Sequence, residues 1–189
     1  MAINTLYLDN GILRSIRNTY NNQYPKNIRL EKFFQRPIFS LLQNKLQNSK
    51  FSLKFHPYKY KYFITNLKEI GSFLSGRYFR NLIRSILSIN KYEIKYEIRK
   101  FESGNYTLLH DAEKEKDGID FIIDFSKSYE NSGGYVAYLT ESEELLHVLP
   151  FPNTLSFIER NKNAMKYTKY VTHQQKAPII QVFGTISKI

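Results

Sequence analysis

Apolar residues in the first ninety positions recur at helical spacing. Ile12, Leu13 and Ile16 mark a helix over Asn10–Tyr20. Ile38, Leu41, Leu42 and Leu46 mark a second over Pro37–Leu46, where the proline suits the first turn. A third amphipathic stretch covers Leu67–Leu87 through Ile70, Phe73, Leu74, Leu82, Ile83 and Ile86, and Gly76 predicts a break inside it. After Asn90 the period changes from helical to two. Tyr92–Arg99 alternates strictly, with Tyr92, Ile94, Tyr96 and Ile98 inward and Glu93, Lys95, Glu97 and Arg99 outward. Strand-like segments then recur at Tyr106–His110, Ile119–Phe125, Gly134–Leu139, Leu145–Leu149, Thr154–Ile158, Tyr167–Thr172 and Ile179–Ile186. The turns between them are Lys116-Asp117-Gly118, Asn131–Gly134, Pro150–Asn153 and Ala177-Pro178. Helices followed by short, evenly spaced strands predict a mainly β protein with N-terminal helices. One domain is expected over residues 1–189, with 1–90 as helical support and 91–189 as a sandwich or barrel.

Composition narrows the chemistry. The chain has no Cys, which excludes disulfide frameworks, zinc–thiolate sites, iron–sulfur clusters and thiol nucleophiles together. No apolar run approaches a membrane span and Met1–Ile16 lacks a signal pattern, so a soluble, cytoplasmic protein is expected. A net charge of +11 favours anionic partners. Lys54–Tyr62 interleaves Lys and Tyr, which could track and stack nucleic acid. The reading favoured here is a strand with Tyr58, Tyr60 and Tyr62 on one face and Lys59 and Lys61 on the other, because no nucleic-acid-binding motif accompanies it.

Four histidines limit the metal chemistry: His56, His110, His147 and His173. An Fe(II) site of the facial type needs two imidazoles and one carboxylate with open positions between them. His110, which opens His110-Asp111-Ala112-Glu113, and a late histidine, His173, could supply it. His56 and His147 read as structural, and Asp120 and Asp124 as the polar side of a strand. Glu141, Glu143 and Glu144 form an acidic turn, and Gly133-Gly134 opens a strand rather than cradling a phosphate. Nothing resembles a Ser nucleophile beside a His, so hydrolysis is unsupported.

The run Gly104–His110, then Ile119–Phe125, Gly133–Tyr138 and Pro152–Phe157, with Phe33–Pro37 ahead of its helix, resembles the 2-oxoglutarate/Fe(II)-dependent oxygenases. The prolyl-4-hydroxylase-like branch is the most similar. That resemblance implies a double-stranded β-helix, a jelly-roll or cupin-like barrel. It also implies Fe(II) on a His-x-Asp pair and a distal His, 2-oxoglutarate on an Arg or Lys, and oxidation of a C–H bond of a small molecule, amino acid or peptide. Residue by residue, His110 matches the first histidine, while Ala112 stands at the aspartate. Anchored on Gly184, Lys169 stands at the distal histidine and Ile179 at the arginine. A working site would therefore be degenerate. Its metal ligands would be His110, His173, which shares strand parity with Lys169, and either Asp111 or Glu113. Tyr106 and Lys169, or Lys176, would face the cosubstrate. Two alternatives stand beside it. A halogenase-like variant would use the room left by Ala112 for chloride. A metal-free barrel would act as a binding module, and a Lys169 ammonium in its pocket would favour an anion over a divalent cation.

Overall fold

The computed structural model describes residues 3–109, 118–140, 143–160 and 164–189. The expected helices form as α1 (Asn10–Asn22), α2 (Arg36–Gln47), α3 (Lys68–Leu74) and α4 (Arg77–Leu82). Asp9 caps α1 by accepting from the Ile12 N–H at 2.9 Å. Pro37 sits in the first turn of α2. Gly76 divides α3 from α4 in an extended conformation (φ −78°, ψ 162°), and a Cβ there would press within 3.0 Å of the Ser72 and Phe73 carbonyls.

Among the described residues eleven strands form one curled sheet. They are β1 (Asn27–Leu30), β2 (Ser52–His56), β3 (Tyr60–Thr65), β4 (Tyr92–Phe101), β5 (Tyr106–Thr107), β6 (Gly118–Asp124), β7 (Val136–Thr140), β8 (Glu143–Val148), β9 (Thr154–Arg160), β10 (Ala164–Thr168) and β11 (Ile179–Lys188). Their order is β1-β9-β6-β11-β4-β3-β5-β10-β7-β8, with β2 on β3, and every pairing is antiparallel. This is the jelly-roll barrel expected of the later half. Three strands, β1 to β3, lie in the half read as helical support. In particular Lys54–Tyr62 is a hairpin and not one strand. Its turn leaves Tyr58 82% exposed.

The sheet has two faces. One carries Tyr92, Ile94, Tyr96 and Ile98 of β4, Ile180, Val182 and Ile186 of β11, Ile119, Phe121 and Ile123 of β6, and Leu155 and Phe157 of β9. Against it pack Leu13 and Tyr20 of α1, Leu42 and Leu46 of α2, Ile70 and Leu74 of α3, and Phe79 and Leu82 of α4. Each such side chain removed from water contributes about 1.5–3 kcal/mol before the entropy of ordering it. Gly184 makes the contact possible: a Cβ there would lie 2.3 Å from the Phe121 ring. The opposite face lines the interior of the barrel, where Ile122, Val136, Tyr138, Val148, Ile158 and Phe183 form a smaller apolar cluster.

Candidate ligand-binding cavity

The hairpin of β2 and β3 determines where the barrel opens. Phe63–Thr65 of β3 pair with β4, whereas Tyr60 and Lys61 pair with Thr107 and Tyr106 of β5. One strand thus bridges the two halves of the barrel and roofs a cavity of about 590 Å³. The hairpin brings Lys54, Tyr60 and Tyr62 to its wall; β4 brings Glu97 and Arg99, β10 brings Lys166 and Thr168, and β11 brings Phe183 and Thr185.

Glu97 is the centre of one charged group. It takes a bond from Lys54 Nζ at 2.5 Å on one oxygen, and on the other from Arg99 Nε at 3.0 Å and the Tyr62 hydroxyl at 3.2 Å. Arg99 Nη2 adds a contact at 2.9 Å. Burial opposes the charge on Glu97, but the adjacent Arg99 and Lys54 outweigh it and hold the carboxyl below its ordinary range. Burial likewise opposes the Lys54 ammonium, and its bond to Glu97 more than offsets that and raises it. Burial pushes the Tyr62 phenol up. The Arg99 guanidinium carbon lies 4.9 Å from the centre of the Tyr62 ring and 4.7 Å from that of Phe183, both within cation–π range. Deeper in, Asp120 is fully buried and meets Arg160 Nε at 3.0 Å, Lys166 Nζ at 2.8 Å, and the hydroxyls of Tyr138 and Thr185 at 3.0 Å each.

The described residues among those the sequence pointed to, Tyr106, Lys169 and His173, do not line this cavity. Tyr106 lies in β5 with its ring stacked 6.4 Å from Tyr170. Lys169 is exposed, and its backbone pairs with Tyr135 and Gly134. The strand expected over Tyr167–Thr172 is β10 and ends at Thr168, so strand parity does not extend to His173, which lies exposed on a turn. Lys176 is exposed beside Glu130, whose carboxylate accepts its N–H at 3.0 Å. Ile179 is fully buried. Thr107 pairs with Thr168, and Val171 bonds to Gly104 and Asn105, so the chain running from Thr107 to Leu109 heads away from His173. His110, Asp111, Ala112 and Glu113, the Lys116-Asp117 turn and Glu141 lie outside the described residues. Among the described residues no group of three His, Cys, Asp or Glu could hold a metal ion. On the described part of the cavity wall, Lys54, Arg99 and Lys166 would oppose a divalent cation such as Fe(II).

Sequence reasoning missed Lys54, Glu97, Arg99, Lys166 and Asp120 because it assigned every polar strand face to solvent. Helices ahead of the strands already accounted for the apolar face, which left the polar face for a barrel interior. His56, set 5.9 Å from Tyr60, and His147, set 4.7 Å from Tyr135, make ring contacts.

A family model described as oxoglutarate and iron-dependent oxygenase degradation C-term matches residues 59–187. Prolyl 3-hydroxylase OGFOD1 of Mus musculus is 33% identical over 82 residues, 41% of this chain and 15% of that protein. The chain spans less than a fifth of the length of the curated relatives it matches. In fold it is similar to a Pseudomonas putida prolyl-4-hydroxylase, with a TM-score of 0.67 at 10% identity over 94% of this chain and 99% of the other. A Trichoplax adhaerens prolyl hydroxylase, solved in complex with a hypoxia inducible factor peptide fragment, gives 0.65 at 13% over 96% and 91%.

Proposed function

The chain belongs to the oxoglutarate and iron-dependent oxygenase degradation C-terminal family, and on that premise we propose that it is a dioxygenase-like barrel that works as a binding module. One observation supports this reading: Lys54, Arg99 and Lys166 stand on the described wall of the barrel cavity, where their charges favour an anion over a divalent cation.

A second reading is favoured by the relatives, which are prolyl hydroxylases. In it the chain hydroxylates a C–H bond of a peptide or protein, with His110, Asp111 or Glu113, and His173 as ligands and Tyr106 and Lys169 toward the cosubstrate. The two readings separate in one assay. Purified protein given Fe(II), 2-oxoglutarate and oxygen, with and without a proline-containing peptide, is expected to form no succinate above a protein-free control. Succinate formation abolished by His110→Ala would establish the hydroxylase instead.

A further inference from the structure

We propose that the cavity seats an oxyanion, the carboxylate or phosphoryl group of a small molecule, on Arg99 and Lys54 without a metal ion. This rests on the binding-module reading and names the chemistry of its ligand. Both seats come from strands that carry none of the positions implied by the family resemblance: β4 for Arg99 and β2 for Lys54.

The donors outnumber the acceptor that holds them. A guanidinium has five N–H donors and an ammonium three. Glu97 accepts from Nε and Nη2 of Arg99 and from one position on Lys54. Its second oxygen is also used by Tyr62. Among the described residues two positive charges therefore share one negative charge, with Arg99 donors and Lys54 donors left over at a cavity wall that both residues line. The geometry is also preformed. The Tyr62 and Phe183 rings both lie within 5 Å of the guanidinium carbon, and Lys54 Nζ lies 5.7 Å from the Tyr60 and Tyr62 ring centres. An incoming oxyanion would thus meet fixed, partly desolvated donors and pay little to order them. The side chains of Arg99 and Lys54 remain 20% and 35% exposed, which leaves them reachable from the cavity.

The test is calorimetric titration of the full chain, treated with a chelator, using sodium 2-oxoglutarate, succinate and inorganic phosphate in turn. At least one probe is expected to bind at millimolar concentration or below in metal-free buffer, and the carboxylate and phosphate arms identify which oxyanion is preferred. Arg99→Gln and Lys54→Gln should each weaken that binding by roughly tenfold or more, the loss typical of a charge-assisted bond. Lys188→Gln, at the end of β11, should leave it unchanged. Arg99→Lys keeps the charge without the fork and should fall between, which covers the case in which Arg99→Gln does not fold. Binding of no probe overturns the oxyanion seat, whereas succinate formation in the oxygenase assay overturns the binding-module reading. Binding that appears only after Fe(II) is added overturns both. Binding indifferent to all Arg99 and Lys54 variants places the anion elsewhere and overturns the seat alone.

Discussion

Asn153 shows how much one side chain can hold. Its carboxamide oxygen accepts from the Phe34 N–H at 2.8 Å and its nitrogen donates to the Phe34 carbonyl at 3.0 Å, across 119 residues of sequence. Its backbone is left-handed at φ 58°, a conformation Asn tolerates better than most residues. Asn153→Ala removes both bonds and adds backbone strain, so denaturant unfolding is expected to show a loss of about 2–3 kcal/mol. Asp124 makes the opposite prediction. Burial raises its carboxyl above the ordinary range despite bonds from the Gln181 amide and the Ser126 N–H at 2.8 Å each. A carboxyl raised in the folded state costs stability as pH climbs from its unfolded value through its folded one. Asp124→Asn keeps the Ser126 bond, and its amide can donate to Gln181 Oε1, a buried atom with no partner among the described residues. The variant should therefore be at least as stable as the parent at neutral pH. Its stability measured between pH 4 and pH 7 should fall less steeply than the parent's, with these bounds set by about the ordinary carboxyl value and neutrality.

At the scale of elements, the alternation of β4 was legible and its meaning was half legible. Tyr92, Ile94, Tyr96 and Ile98 do pack against the helices, as the period-two pattern requires. Glu97 and Arg99 do not go to bulk water, because the sheet curls and its second face encloses a cavity. Period alone cannot distinguish a solvated face from a polar interior. The double glycine was legible as a turn, but its cause lies in tertiary packing. Gly133 and Gly134 sit at φ +92° and +72°, and a Cβ on Gly133 would fall 1.9 Å from the Tyr170 carbonyl oxygen. Gly184 is the matching close approach on β11. Gly184→Ala forces its methyl into the Phe121 ring and is expected to lower the unfolding midpoint by the equivalent of about 1–3 kcal/mol.

Across the whole molecule, the strands of the barrel and the helices packed on it followed from hydrophobic spacing and turn residues. β1 escaped, and β2 and β3 read together as one strand. The hairpin's turn at Pro57–Lys59 breaks the alternation that would have marked it as two strands. The site was less legible than the fold because its charged members come from β2, β4, β6, β9 and β10, which only the curled sheet brings together. No described helix is long and apolar enough to cross a membrane. The central claim is that this barrel holds an anion by side chains and not through iron. It is tested most directly by anaerobic equilibrium dialysis of the full chain against Fe(II) and 2-oxoglutarate, with both measured on the protein before and after chelation. The account predicts that iron stays well below one per chain and that any bound 2-oxoglutarate survives the chelator. One iron per chain, with 2-oxoglutarate retained only in its presence and both lost in His110→Ala, would contradict it.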